Sequence, residues 1–365
     1  MFVFKYFVLF FITLVPLFSH QSRENYINIE IEQKQIVLTC DIETDNFSKV
    51  IALDDNGNNI VSWRELSANE DAVMALILKN LVLMQGDESV PLEVYTTEVH
   101  RRDDQSYIRV VLRAPLSKKQ LLILHYQLFF DLDPLQRVFV VITEEEKKRS
   151  MLLTPAQRQL AVYGKEVSLW EEFRTFFREG VGHIWTGYDH LLFLLMLTLP
   201  LFLEKNGSGQ QGRSKSVFVD IIKIVTLFSL AHSLTLGAAF FDIARVNVKM
   251  IESLITLSII ITALFNVFNY MPRRIYLLVF SFGLLHGFGF ANALRELALG
   301  NAHIFLSLLG FNLGVEVGQI VLVILVIPLL YLLARYQGYY RLSMKLLSGV
   351  TVALAMYWLV SILGI

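Results

Sequence analysis

The chain has 365 residues, 54% of them hydrophobic and 18% charged. A mean hydropathy of +0.51 excludes an ordinary soluble protein and points to several membrane spans. A formal charge of -1 offers no basic footprint for nucleic acid, and a single cysteine, Cys40, excludes an intrachain disulfide. Most charges lie before about residue 180 and most long apolar runs after it, so the chain reads as two domains.

Residues 1–20 have the form of a secretory signal peptide. Lys5 supplies a short positive region, and Phe7 to Phe18 is apolar but too short to span comfortably. Ser19 is a small residue at the cleavage position, with Leu17 before it. The site departs from A-x-A, and an uncleaved anchor is the alternative.

Residues 21–165 read as one extracytoplasmic domain, with a period of mostly two from about 22 to 150. Asn28 to Glu32 alternates, as do parts of Val37 to Ile42, Glu93 to Val99, Ile108 to Leu112 and Val138 to Ile142. Short strands separated by turn residues predict a small mainly-β, sandwich-like domain, interrupted by one helical insert over roughly Leu66 to Met84. Before that insert, Asp54 to Glu65 resembles an EF-hand loop. Asp54, Asn56, Asn58, Ser62 and Glu65 supply side-chain oxygens at positions 1, 3, 5, 9 and 12, and Ile60 a carbonyl at position 7. Asn59 replaces the usual glycine at position 6 and tolerates a left-handed backbone. The reading is a structural calcium loop. The alternative is an Asx-rich turn that caps the following helix.

Residues 166–182 read as a linker helix. Ser168 to Glu171 fits a capping box. Trp170, Phe173, Phe176 and Phe177 form an aromatic stripe suited to the headgroup level, or equally to packing on the β domain. The helical membrane domain, 183–365, divides into six spans at about 184–203, 217–241, 251–270, 275–296, 304–333 and 346–364. Lys205, Arg213 and Lys215 fill the first loop, Arg273 and Arg274 the third, and Arg335, Arg341 and Lys345 the fifth. The second holds Arg245 and Lys249, and the fourth no Lys or Arg. The positive-inside rule then places odd loops in the cytoplasm, and the β domain and C-terminus outside a cytoplasmic membrane.

This orientation gathers the polar residues at one depth. His183, Asp189 and His190 sit at the outer end of the first span, with His232 and Ser233 on the outer side of the second. Glu252 opens the third, His286 lies near the middle of the fourth with Asn292 and Arg295 further out, and Asn312 and Glu316 occupy the outer half of the fifth. His183 and His190 are seven apart and share a face of a regular helix; Asp189 points elsewhere unless Gly187 breaks the turn. Asn312, Glu316 and Gln319 form one stripe. Gly283 and Gly287 admit a neighbouring helix beside His286. A lone membrane histidine is as readily a cross-helix hydrogen-bonding group as a ligand, but several histidines and carboxylates at one depth are costly without a ligand. Imidazole and carboxylate without thiolate suit nickel, zinc, cobalt or iron. The metal candidates are therefore His183, Asp189, His190, His232, His286 and Glu316.

His183-x5-Asp189-His190 resembles the H-x5-D-H signature of the HupE/UreJ proteins and of nickel/cobalt permeases. Phe228 to Leu236, Leu284 to Ala291 and Phe311 to Gln319 are similar to the second type of HupE/UreJ-like protein, which carries an exported N-terminal domain. The resemblance covers about residues 170–365. It implies nickel handling for hydrogenase or urease maturation, with His183, Asp189 and His190 as ligands. The chain departs from the permeases at their second motif, H-G-x-A-H-G-x-E, where only His286-Gly287 is present.

Three functions are compatible with these residues. The first is a transporter for nickel, cobalt or zinc, with the β domain as an external accessory module. The second is a membrane-embedded zinc hydrolase, with Glu316 or Glu252 as general base and Ser233 or Asn312 binding an oxyanion. The third is a non-catalytic receptor or assembly factor whose β domain binds an extracytoplasmic protein. Membrane lipids are partners in each.

Overall fold

The computed structural model describes residues 24–363, apart from 58–59, 103–104, 117–120, 135, 146, 164–167, 204–209, 242, 244–245 and 291–303. They form two compact units, one through Ser168 and one from Leu169.

The N-terminal unit runs β1 (Glu24–Ile31), β2 (Gln35–Glu43), α1 (Thr44–Phe47), α2 (Trp63–Ala68), α3 (Glu70–Asn80), β3 (Leu81–Gln85), β4 (Glu88–Val90), β5 (Glu93–Arg102), β6 (Gln105–Pro115), β7 (Leu122–Tyr126), β8 (Arg137–Glu144), β9 (Lys147–Leu153) and β10 (Gln159–Tyr163). One sheet has the order β5-β6-β2-β1-β8-β9 and the other β10-β7-β3-β4. Alternation explains the pairing of faces: in β1, Ile27 and Ile29 are buried while Asn28 and Glu30 are exposed. Residues from both sheets, among them Ile27, Leu38, Val110, Val140, Leu83, Leu124 and Val162, share one core with Leu66, Val73 and Ile77 of the helices. The sandwich-like expectation is met. β1 pairs parallel with β8 and antiparallel with β2.

The helical insert ends earlier than its sequence pattern predicts. Asn69 breaks it into α2 and α3. Leu81 to Met84 leaves the helix for β3, because Leu81 and Leu83 alternate inward and pair with β7. Across the sandwich, Asn25 Nδ2 donates to the Tyr126 hydroxyl at 2.9 Å, and burial pushes that hydroxyl's pKa up. Cys40 is fully buried in the core. Its thiol pKa is raised, chiefly by desolvation and further by Asp41, so the thiolate is scarce. A maleimide therefore leaves Cys40 unmodified in the native protein and reacts on unfolding, as intact mass will report.

The second unit is helical: α4 (Leu169–Thr186), α5 (Tyr188–Thr198) with a 3-10 turn over Leu199–Phe202, α6 (Gln210–Phe240), α7 (Val248–Val267), α8 (Ile275–Gly289), α9 (Ile304–Ala334) and α10 (Gln337–Leu363). Among the described residues, four helices are long and apolar enough to cross a bilayer: Val217–Ala239, Val248–Val267, Phe305–Ala334 and Gln337–Leu363. The other two expected spans take different forms. The first is the second arm of a pair, α4 and α5, bent by 66°. The fourth is the short helix α8, and its expected continuation to 296 lies outside the described residues.

Glycines set how closely these helices approach. A Cβ on Gly180 of α4 would collide with the Phe311 carbonyl of α9, and one on Gly314 of α9 with the Phe177 carbonyl of α4. Gly310 meets Phe173 in the same seam. Gly283 and Gly287 bring α8 against α6, at Phe228, Ala231, His232 and Thr235. These are small-xxx-small contacts, in which backbone approaches backbone. Lower on α5 and α9, an apolar cavity of about 420 Å³ is lined by Trp185, Leu192, Leu195, Val323 and Val326, among others.

Candidate functional site

The bend at Gly187 positions the first histidines. Gly187 adopts φ -80°, ψ 89° and precedes α5. A Cβ there would crowd the His183 carbonyl, His190 Nδ1 and Asp189 Oδ1. His183 thus lies in the last turn of α4, and Asp189 and His190 in the first turn of α5. Asp189 Oδ1 accepts from the His190 backbone N–H at 2.9 Å and lies 2.9 Å from its Nδ1.

Two further helices complete the group. His232 of α6 and His286 of α8 are both fully buried. Ring centroids lie 4.7 Å apart for His183 and His190, 5.0 Å for His190 and His286, 5.8 Å for His190 and His232, and 5.9 Å for His183 and His232. Four imidazoles from four helices therefore form one cluster. Aromatic rings fence it: Phe290 stands 4.5 Å and Phe311 5.6 Å from His183, and Phe193 4.9 Å and Phe228 5.2 Å from His286.

The hydrogen bonds fix which nitrogens carry protons. His286 Nδ1 sits 2.8 Å from the Phe282 carbonyl, which can only accept, so Nδ1 is protonated and Nε2 holds the lone pair. An ionised Asp189 imposes the same tautomer on His190. Nε2 of His190, Nε2 of His286 and both nitrogens of His232 have no hydrogen-bond partner among the described residues. A buried, unsatisfied lone pair on each of these three rings fits a borderline divalent cation. The rings meet at tilted or edge-on angles rather than around one point. Among the described residues no three His, Cys, Asp or Glu side chains are set to enclose an ion as they stand.

The remaining candidates make none of the cluster's described ring contacts or hydrogen bonds. The Ser233 hydroxyl donates to the Ser229 carbonyl at 2.8 Å. Glu252 lies half-buried early in α7, its backbone carbonyl accepting from Thr256 at 2.8 Å. Asn312, Glu316 and Gln319 share α9 with Phe311, and none of the cluster's described ring contacts or hydrogen bonds involves Glu316. Asn266 of α7 donates to the Met196 carbonyl at 2.8 Å. Lys223 lies 3.9 Å from Asp220. Asn292 and Arg295 fall outside the described residues. The aromatic fence and the α4–α9 seam were not anticipated. The G-x3-G-x3-G spacing of Gly310, Gly314 and Gly318 is the signal that would have found the seam.

In the N-terminal unit, the Asp54–Glu65 segment closes on itself. Glu65 accepts from the Ser62 hydroxyl at 2.6 Å, the Ser62 N–H at 2.8 Å, the Asn56 amide at 2.7 Å and the Asp55 N–H at 3.2 Å. Asp54 Oδ1 accepts from the Gly57 N–H at 2.8 Å. Ser62 and Glu65 make a capping box for α2, which is the turn-and-cap alternative. Ile60 lies in the same segment, and Asn58 lies outside the described residues. The donors, Ser62 foremost, hold the Glu65 carboxyl below its usual pKa. A lowered folded pKa gives a stabilising contribution that is full above the unfolded value, about 4.3. It is lost as pH falls through the lowered folded value. Glu65→Gln should therefore flatten the acid side of the melting-temperature profile below about pH 5, read by thermal denaturation across pH.

The fold and cluster define a class: a helical membrane protein of several spans with a buried polyhistidine group, preceded by a β-rich unit. The chain belongs to the HupE/UreJ family, because the model described as HupE / UreJ protein matches residues 158–362, more than half its length. That match takes in the whole helical unit to within a residue of the end of α10, and only the last strand of the β-rich one. A comparison with curated proteins finds no match.

Proposed function

We propose that this chain is a multi-pass protein of the cytoplasmic membrane that transports a divalent transition metal, nickel foremost, with cobalt and zinc as the other candidate cargoes. His183, Asp189, His190, His232 and His286 bind the ion in the outer half of the bundle. The observation that carries this reading is the meeting of four imidazoles from four helices, at centroid separations of 4.7–5.9 Å, inside an apolar unit. Polar groups in such a place are expensive, and they mark ion pathways. The Asp189–His190 pair is the carboxylate–histidine arrangement that orients a metal-binding ring. Ligation requires the rings to turn from their edge-on contacts, which suits transient binding of cargo.

The lysine and arginine bias of the loops supports an extracytoplasmic N-terminal unit, serving as an accessory or capture module. The test is metal content and flux together. Wild type and the H183A/D189A double variant are purified, assayed for bound nickel, cobalt and zinc by mass spectrometry, and reconstituted into liposomes. Uptake by the wild type that is lost in the variant is the expected result. One tightly held zinc with no flux would instead favour a resident, hydrolytic metal.

A further inference from the structure

We infer that Asn312, Glu316 and Gln319 form a second cation site, built of oxygen donors along α9, that receives the metal after the imidazole cluster. The inference rests on the transport reading above. Asn312 Oδ1 and Gln319 Oε1 are buried and accept no hydrogen bond among the described residues. Gln319 is 2% exposed as a whole residue. An orphaned amide oxygen is costly in an apolar bundle, so two of them on one helix mark a place where something else binds. Glu316 lies half-buried between them in sequence and adds a carboxyl group to the stripe.

Spacing makes these residues one stripe. They are four and three positions apart, and together cover about 10 Å of helix axis at 1.5 Å per residue. At 100° per residue the stripe is turned away from Gly310, Gly314 and Gly318, so the seam with α4 leaves it free to take a ligand. Its first member follows Phe311, whose ring packs 5.6 Å from His183. Its last member lies on the side of α9 that leads to Arg335 and Arg341, the end assigned to the cytoplasm. The stripe therefore begins one residue past the ring that walls the cluster and runs inward along α9.

The change of donor type has a chemical purpose. Imidazole nitrogen binds nickel, cobalt and zinc more firmly than amide or carboxylate oxygen, which suits harder and more hydrated ions. Conduction needs a site tight enough to fill and a following one weak enough to empty. A step from nitrogen to oxygen donors provides that descent.

Gln319→Met keeps the side-chain volume and removes the oxygen, whereas Gln319→Glu keeps an oxygen donor. Both full-length variants, with N312L as an independent probe of the stripe and melting temperature as a check of folding, are assayed for equilibrium nickel binding and for uptake into liposomes. Q319M is expected to bind nickel as the wild type does while its uptake falls at least tenfold, and Q319E to keep most of its uptake. H190A should lose binding and uptake together. Wild-type uptake by Q319M and N312L overturns the second site and leaves the transport reading intact. Loss of binding in folded Q319M overturns it too, by assigning Gln319 to the imidazole site. Equal loss of uptake in Q319E and Q319M overturns the oxygen-donor role. Absence of uptake in the wild type removes the transport reading and this inference with it.

Discussion

On the proposed transport reading, His232→Leu should abolish nickel uptake and raise the melting temperature of the metal-free protein. His232 is fully buried, and neither ring nitrogen has a hydrogen-bond partner among the described residues. Leaving a buried polar group unsatisfied costs about 1–3 kcal/mol, and an apolar side chain of similar size removes that cost. In a helical unit of this size, the change should appear as a rise of several degrees. The loss of function follows from the same nitrogens. Removing an outer-sphere partner of a metal ligand costs roughly 10–100-fold in affinity, and removing a ligand costs more. Thermal melting and equilibrium nickel binding on one preparation decide the matter. A histidine kept for packing would instead give a lower melting temperature and unchanged binding. Stability gained with function lost identifies a residue retained for its ligand.

Gly314→Leu separates α4 from α9 and lowers the melting temperature by several degrees. The atom a new Cβ would strike is the Phe177 carbonyl oxygen, with the Val181 nitrogen close behind. Both are backbone, and no rotamer change relieves the contact. Overpacking ordinarily costs about 1–3 kcal/mol, and a backbone-to-backbone clash falls at the upper end or beyond. Gly349→Ala is the control. A Cβ at that position meets nothing within 4 Å, so the change should leave the melting temperature level or slightly raised, alanine being the better helix former. Because α4 also carries His183, G314L should weaken nickel binding as well. An unchanged melting temperature in G314L would show that the two helices do not need their close approach.

The sequence makes depth legible and azimuth obscure. Spans are one-dimensional, so loop charges alone place His183, His190, His232 and His286 at one level, and the structure brings those four rings together. Depth does not say which way a side chain turns. In a bundle surrounded by lipid, both faces of a helix are apolar and the pattern that orients a soluble helix fades. Glu316 shared the level of the histidines in the sequence, yet it makes none of the cluster's described contacts. The glycine pair at Gly283 and Gly287 was readable because only small residues permit that approach, and the partner it admits is α6. The break at Gly187 was flagged as a condition, and its 66° bend puts His183 and His190 on separate helices yet within 4.7 Å. In the N-terminal unit the period of two marked out the strands. The helix that loses Leu81 to Met84 to β3 was misjudged because a short apolar run serves either state until its pairing strand is known.

The seam between α4 and α9 has a consequence for synthesis. Gly180 and Phe311 are about 130 residues apart, so at roughly 5–20 residues per second the ribosome delivers the second partner some 7–26 s after the first. Through that interval α4, its aromatic stripe and His183 wait at the membrane without the surface they are shaped for. A nascent chain stalled before α9 is therefore a natural client for insertases and quality-control proteases. The imidazole cluster, whose four rings lie on α4, α5, α6 and α8, is translated before α9, so its Phe311 wall is the last part to close.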